Sequence, residues 1–153
     1  MKYLILFLFF TGNVLTWAQS SEIRQSYHAA TQSKEKAEAF YKLVKDVEYK
    51  DKAELVAYKG AAITLVARFE PLTKRKAKVK EGIKWVEEAV SKAPNSVEVR
   101  LIRLSIQENL PKMFKYDGQI ASDKKFIKDA LPNIKDKELV EMINGYLAEF
   151  SKK

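Results

Sequence analysis

The sequence predicts an all-α chain, an irregular stack of antiparallel helix hairpins closed by a C-terminal capping helix. Apolar residues recur at three- and four-residue steps along most of its 153 residues. Five glycines and four prolines leave long uninterrupted runs between breakers. Ala, Lys, Glu and Leu are abundant, and all are strong helix formers. Alternating runs stay short and the β-branched residues fall at helical intervals, so no strand pattern competes.

The first segment, Met1 to Ala18, is predicted to be an export signal. Lys2 supplies the positive start, Tyr3 to Phe10 the apolar core, and Thr16-Trp17-Ala18 a small-x-small cleavage site. Polar Thr11, Gly12 and Asn13 interrupt the run well short of the roughly 20 apolar residues that a membrane span requires. Cleavage after Ala18 is expected to leave one domain, residues 19–153, exported to the periplasm or secreted, with no transmembrane segment. The absence of cysteine excludes a lipoprotein anchor, a disulfide framework and thiol chemistry, so apolar packing must hold the mature fold together. The whole chain carries 28 Lys and Arg against 20 Asp and Glu; loss of residues 1–18 removes only Lys2, leaving a formal charge of +7.

Helical periodicity then places segments in order. Residues 21–32 and 34–47 form a pair, with Ala37, Phe40, Tyr41 and Val44 on one stripe. Residues 53–69 carry Val56, Ala57, Gly60, Ala61 and Thr64, a narrow stripe of small side chains that calls for a close helix neighbour. Glu70 to Thr73 is expected to break the chain, and 74–93 resumes it with Val79, Gly82, Ile83, Val86, Ala89 and Val90. Pro94 stops that helix, because it lacks an N–H and disfavours helical backbone at Ala93, while Asn95 or Ser96 can cap the next one over 96–109. After Pro111 and a loop around Lys112 to Gly118, residues 120–131 and 136–150 complete the set. Leu139, Ile143, Tyr146, Leu147 and Phe150 stripe the last of them.

The joint around Pro94, with small residues at Gly82 and Ala89 and a cap at Asn95, resembles the tetratricopeptide repeat over Ala53 to Arg103. In that likeness Ala53-Glu54 and Lys59-Gly60-Ala61 stand for a first helix, and Gly82 to Asn95 for its partner. Ala37, Tyr41 and Val44 repeat the partner positions one unit earlier. Ala53 to Pro94 spans 42 residues, against a repeat period of about 34, so an enlarged turn is expected between the two helices. Arg100 and Arg103 stand where the repeat usually presents an aromatic and a leucine. The resemblance implies a fold of stacked hairpins whose concave groove binds partner peptides.

Two sets of residues are candidate binding sites. Arg100, Arg103 and Gln107 fall at i, i+3 and i+7 and share one helix face beside Glu108, a row suited to a carboxylate or peptide backbone. The alternative is that the arginines pair with Glu98, Glu108 or nearby acids and merely tie helices together. Lys74, Arg75, Lys76, Lys78 and Lys80 place five bases in seven residues with no acid. They stand at a helix N-terminus, where the macrodipole disfavours cations, so helix stability does not explain them. Phosphate groups, acidic polysaccharide or an acidic protein surface would suit them, against the bland reading of a solvated helix start. No nucleic-acid motif accompanies the cluster, although Trp85 or Tyr58 could supply stacking.

Catalysis finds no foothold. His28 is the sole histidine, so neither a His-based dyad nor a His metal cluster can form. No Gly-rich phosphate loop or nucleophile elbow is present, and neither Glu87-Glu88 nor Asp46 with Glu48 forms a carboxylate dyad by spacing. No cofactor or metal is expected. Met113, Phe114 and Tyr116 either plug the core from the 112–118 loop or form an exposed edge, the plug being favoured. The sequence therefore leads to an exported, non-catalytic protein-interaction or assembly module of the cell envelope that binds a protein or peptide through a helical groove. The alternative is a binder of anionic polymer or lipid headgroups through residues 74–80.

Overall fold

The computed structural model describes residues 17–150 and the side chains of residues 19–149. The export segment expected over Met1 to Ala18 lies outside this range except for Trp17 and Ala18, whose backbone opens the first helix. Seven α-helices follow one another: α1 (Trp17–Ala30), α2 (Lys34–Val44), α3 (Ala53–Ala67), α4 (Leu72–Lys92), α5 (Val97–Asn109), α6 (Ile120–Ala130) and α7 (Lys137–Phe150). Short 3-10 turns at Lys112–Phe114 and Leu131–Asn133 flank α6, and no strand occurs among the described residues. The chain is all-α.

Helix starts follow the capping chemistry of the sequence. Ser33 accepts a hydrogen bond from the Lys36 N–H at 3.2 Å at the head of α2, and Ser96 accepts one from the Val99 N–H at 3.4 Å at the head of α5. Asp136 serves α7 in the same way, accepting from the Leu139 N–H at 3.2 Å. The expected break over Glu70 to Thr73 is shorter than its composition suggests. Pro71 occupies the N-cap position of α4, and its carbonyl accepts the N–H groups of Lys74 and Arg75, both at 2.9 Å. The enlarged turn is therefore not observed. The extra length between Ala53 and Pro94 is taken up by α4, which runs for 21 residues.

The small-residue stripe does what its shape requires. A Cβ built on Gly60 would lie 2.6 Å from both the Gly82 carbonyl oxygen and Val86 Cγ2, and one on Gly82 would lie 2.6 Å from Thr64 Cγ2 and 2.7 Å from the Gly60 carbonyl oxygen. As the chain advances from Gly60 to Thr64, its contacts on α4 step back from Val86 to Gly82, so α3 and α4 form an antiparallel hairpin with their backbones almost touching. Chain neighbours from α1 to α6 pack on one another in turn, and α3 also packs on α1 and α5.

Two apolar cores result. The larger gathers Phe40, Val44, Val56, Val86, Val99 and Ile102 among others, all fully buried. Within it Tyr27, Phe40 and Tyr58 form a triangle of tilted and edge-on rings with centroids 5.4 to 6.1 Å apart. The second joins Leu101 and Leu104 of α5 to Ile127 of α6 and to Leu139 and Ile143 of α7. Leu139 and Ile143 come from the apolar stripe expected in the last helix, and burial of that stripe attaches α7 to the rest of the fold. No described helix is long and apolar enough to cross a membrane.

The Gly60–Gly82 contact carries a prediction. Gly82→Ala gains helix propensity but drives a methyl into backbone, and should destabilise the protein by about 1–3 kcal/mol. Gly145→Ala, whose Cβ meets nothing within 4 Å, should be neutral or stabilising by up to about 1 kcal/mol. Denaturant unfolding of the two variants beside the parent checks both signs.

Candidate functional site

Helix α5 decides what the arginine row can do. It buries Val99, Leu101, Ile102, Leu104 and Ile106, and among them Glu98, Arg103 and Gln107. A charge in such surroundings persists only with a partner, because desolvation costs several kcal/mol per ion. Arg103, 5 % exposed, finds Asp123 of α6, 0 % exposed. Its Nε donates to one carboxylate oxygen and its second amino group to the other, both at 2.7 Å, a bidentate fork. Arg100 donates to the same carboxylate at 2.9 Å and to the Pro94 carbonyl at 2.7 Å, while its guanidinium lies 4.4 Å from the centre of the Phe126 ring. Glu87 of α4 completes the group, 3.4 Å from Arg103, and accepts from the Tyr116 hydroxyl.

Arg100 and Arg103 are thus turned onto α6 rather than onto an open groove. Gln107 is buried and its Oε1 accepts no hydrogen bond among the described residues. The arginines tie helices together, but through Asp123 and Glu87 and not through the acids named from the sequence, since Glu98 is held by Arg24 and Glu108 by Lys124; their use by a partner would require α6 to move. The 112–118 loop divides between its two readings. Tyr116 packs against the larger core, whereas Met113 stands 70 % exposed.

A second buried charge centre has no counterpart in the sequence reading. Arg24 of α1 makes a two-pronged pair with Glu98 of α5 at 2.9 and 2.7 Å, and also reaches Asp136 at 2.9 Å and Glu138 at 3.1 Å. The Tyr58 hydroxyl donates to Glu98 at 2.6 Å, and Ser21 donates to Glu138 at 2.6 Å. Burial pushes the Tyr58 hydroxyl well above its ordinary range, and the adjacent Glu98 charge adds to the effect, so Tyr58 remains a donor at any physiological pH. At Asp136 burial raises the carboxyl, but the hydrogen bonds from Arg24 and the Leu139 N–H outweigh it and hold the group below its ordinary 3.8. Three acids converging on one cation make a structural clamp. Among the described residues no group of His, Asp and Glu is placed to hold a metal ion.

The basic cluster remains on the surface. Lys74, Lys76 and Lys80 are exposed and form no ion pair among the described residues, while Arg75 and Lys78 are half-buried. Lys78 pairs with Glu70 at 2.8 Å, and this hydrogen bond with its charge holds the half-buried Glu70 carboxyl below its ordinary range. Arg75 donates to the Glu70 carbonyl at 3.1 Å. Beside these bases stand two large apolar side chains, Phe69 at 42 % exposure and Leu72 at 78 %. A cavity of about 240 Å³ lined by Tyr41, Val66, Phe69 and Lys78 adjoins them. His28 is exposed on α1, Glu88 is exposed, and Asp46 and Glu48 lie at the surface with Glu48 paired to Lys50.

No family model matches this chain, and no curated protein or solved structure does. The likeness to a tetratricopeptide repeat therefore rests on the residues quoted for it.

Both charge centres yield predictions. Arg103→Ala leaves the Asp123 carboxylate buried with Arg100 as its one remaining ion-pair partner, and should cost about 3–5 kcal/mol in denaturant unfolding. A partly exposed groove residue would cost far less. For Asp136, a depressed folded value means stability present above the ordinary carboxyl range and lost as pH falls through the folded value. Asp136→Asn should therefore lower stability by about 1.5 kcal/mol at neutral pH. The difference from the parent should begin to close as pH falls below about 4, as unfolding midpoints measured across that range will show.

Proposed function

We propose that the chain is an exported, non-catalytic interaction module of the cell envelope that meets an anionic partner through the basic first half of α4. The observation that carries this reading is the contrast between the two candidate surfaces. Arg103 is neutralised internally by Asp123, whereas Lys74, Lys76 and Lys80 remain exposed and unpaired. On α4, Lys76, Lys80 and Lys84 are spaced at i, i+4 and i+8, so they share one stripe, and all three are exposed. Glu81 also lies exposed on this side, so the field is a stripe of excess positive charge rather than a wall of it.

A local excess of cations on a chain that is basic overall attracts polyanions at long range and holds them by counterion release. Export follows from the Met1 to Ala18 pattern, and the partners it would bring within reach are acidic polysaccharides, anionic lipid headgroups or acidic protein surfaces. A peptide lying along α5 has less support, because Arg103 and Gln107 are already covered.

Titration with dextran sulfate as a soluble polyanion tests the reading. Binding should weaken steeply with added salt, and Lys76→Glu with Lys80→Glu should reduce affinity at least about tenfold while the circular dichroism spectrum is retained. Parent-like affinity in that double variant would reject the cluster as the binding surface.

A further inference from the structure

On the premise that the basic cluster binds anions, we infer that its partner is the surface of an anionic phospholipid bilayer, into which the α3–α4 turn inserts Phe69 and Leu72. A soluble polyanion would require charge alone, yet the charge here is joined to exposed hydrocarbon. Leu72 is the first residue of α4 and is 78 % exposed, and Phe69, three residues earlier in the turn, is 42 % exposed. Lys76 and Lys80 follow Leu72 at i+4 and i+8, so the exposed leucine heads the same stripe that carries the free ammonium groups. Arg68 stands on the other side of the tip, its guanidinium 5.8 Å from the Phe69 ring centre.

An aromatic and an aliphatic tip flanked by bases, with the one carboxylate between them, Glu70, neutralised by Lys78 at 2.8 Å, is the chemistry of an interfacial membrane contact. Hydrocarbon enters the headgroup–acyl boundary while lysines remain at the level of the phosphates, and neither contribution suffices alone. The geometry suits this depth. The tip is a tight turn in which the Pro71 carbonyl accepts the Lys74 and Arg75 N–H groups and the Glu70 carbonyl accepts from the Arg75 side chain, while the uncapped N–H groups of Leu72 and Thr73 at the helix start face the level of the lipid phosphates. Long lysine side chains can reach outward from the stripe as Leu72 descends. The packed glycine contact fixes α3 against α4, and the tip is presented as a rigid wedge.

The absence of cysteine permits a local readout. Thr73→Cys, at an exposed position, is labelled with an environment-sensitive dye in the full chain and mixed with phosphatidylcholine vesicles, with vesicles also containing phosphatidylglycerol, and with dextran sulfate. On the anionic vesicles the dye emission should shift to the blue and be quenched by brominated acyl chains; on neutral vesicles and dextran sulfate it should not. This local signal separates the wedge from any membrane contact of the apolar stretch Tyr3 to Phe10. Leu72→Ser should weaken vesicle binding of the labelled tip about tenfold, and Leu72→Trp should strengthen it, with both variants folded because Leu72 has no place in either core. Lys76→Glu with Lys80→Glu should weaken it at least about 100-fold. A dye that stays in water on anionic vesicles, or parent-like binding by Leu72→Ser, would overturn the wedge. Binding of dextran sulfate without the vesicle signal would overturn it while leaving the anion-binding reading in place, and loss of both would end both.

Discussion

Helix α5 runs through the interior carrying charges that it cannot neutralise itself, and much of the long-range organisation answers that constraint. Glu98 near one end is met by Arg24, 74 residues earlier in the chain, and Arg103 further along by Asp123, 20 residues later. Each pair takes ions out of water, which costs several kcal/mol per ion unless the partner is close and well oriented. The observed distances of 2.7 to 2.9 Å and the two-pronged geometry at both centres meet that condition. Because Arg24 also reaches Asp136 and Glu138, the same residue ties α1 to α5 and to the head of α7. One side chain links the two ends of the described fold.

These pairs are better understood as specifying the arrangement than as supplying its stability. Apolar replacements of similar volume often match or exceed a buried ion pair, whereas removing one partner is severe. The favourable free energy comes instead from the aromatic triangle of Tyr27, Phe40 and Tyr58, from the aliphatic residues around it, and from the close α3–α4 seam. Helices of this kind could pack in more than one rotation about their axes. A buried Glu98 opposite Arg24 and Tyr58, and a buried Arg103 opposite Asp123, penalise the rotations that separate them. The division of labour is physical: area drives association, and charge selects among the associated forms.

The helices were legible because their apolar residues repeat at three and four steps and because Pro71, Pro94 and Pro111 punctuate them. The Gly60–Gly82 seam was legible for the same reason, as a stripe of small residues has few uses. The placement of the extra residues between Ala53 and Pro94 was not, since Pro71 can either prolong a loop or begin a helix, and it begins one. The arginine row was legible as a shared face, and pairing with acids was one reading of it, but the acid itself, Asp123, and the burial around it were not inferred. A signal existed: α5 carries Val99, Leu101, Ile102, Leu104 and Ile106, apolar on nearly every side, and a helix of that kind is buried with its charges. Asp123 betrays itself similarly, lying three residues after Ile120 and four before Ile127 on an apolar stripe. Arg24 could not be matched to Glu98 by any spacing rule, because their proximity exists only after α1 and α5 have packed.

Internal neutralisation also clarifies where the net charge of the chain is available. Cations committed to buried pairs contribute little field at the surface, since their partners cancel them at close range. Arg24, Arg100 and Arg103 are all committed in this way. The lysines of α4 differ. Lys74 sits in the first turn of α4, at the positive end of the helix dipole, where it raises the energy of the folded state slightly; Lys76 and Lys80 follow in the next two turns, and none of the three is offset by an acid at ion-pair distance among the described residues. The same turn leaves Leu72 in water at a cost that burial elsewhere in the fold would have removed. Two unfavourable features coincide on one short segment, and a surface that supplies both phosphate and hydrocarbon relieves them together. A partner offering charge alone relieves only the first.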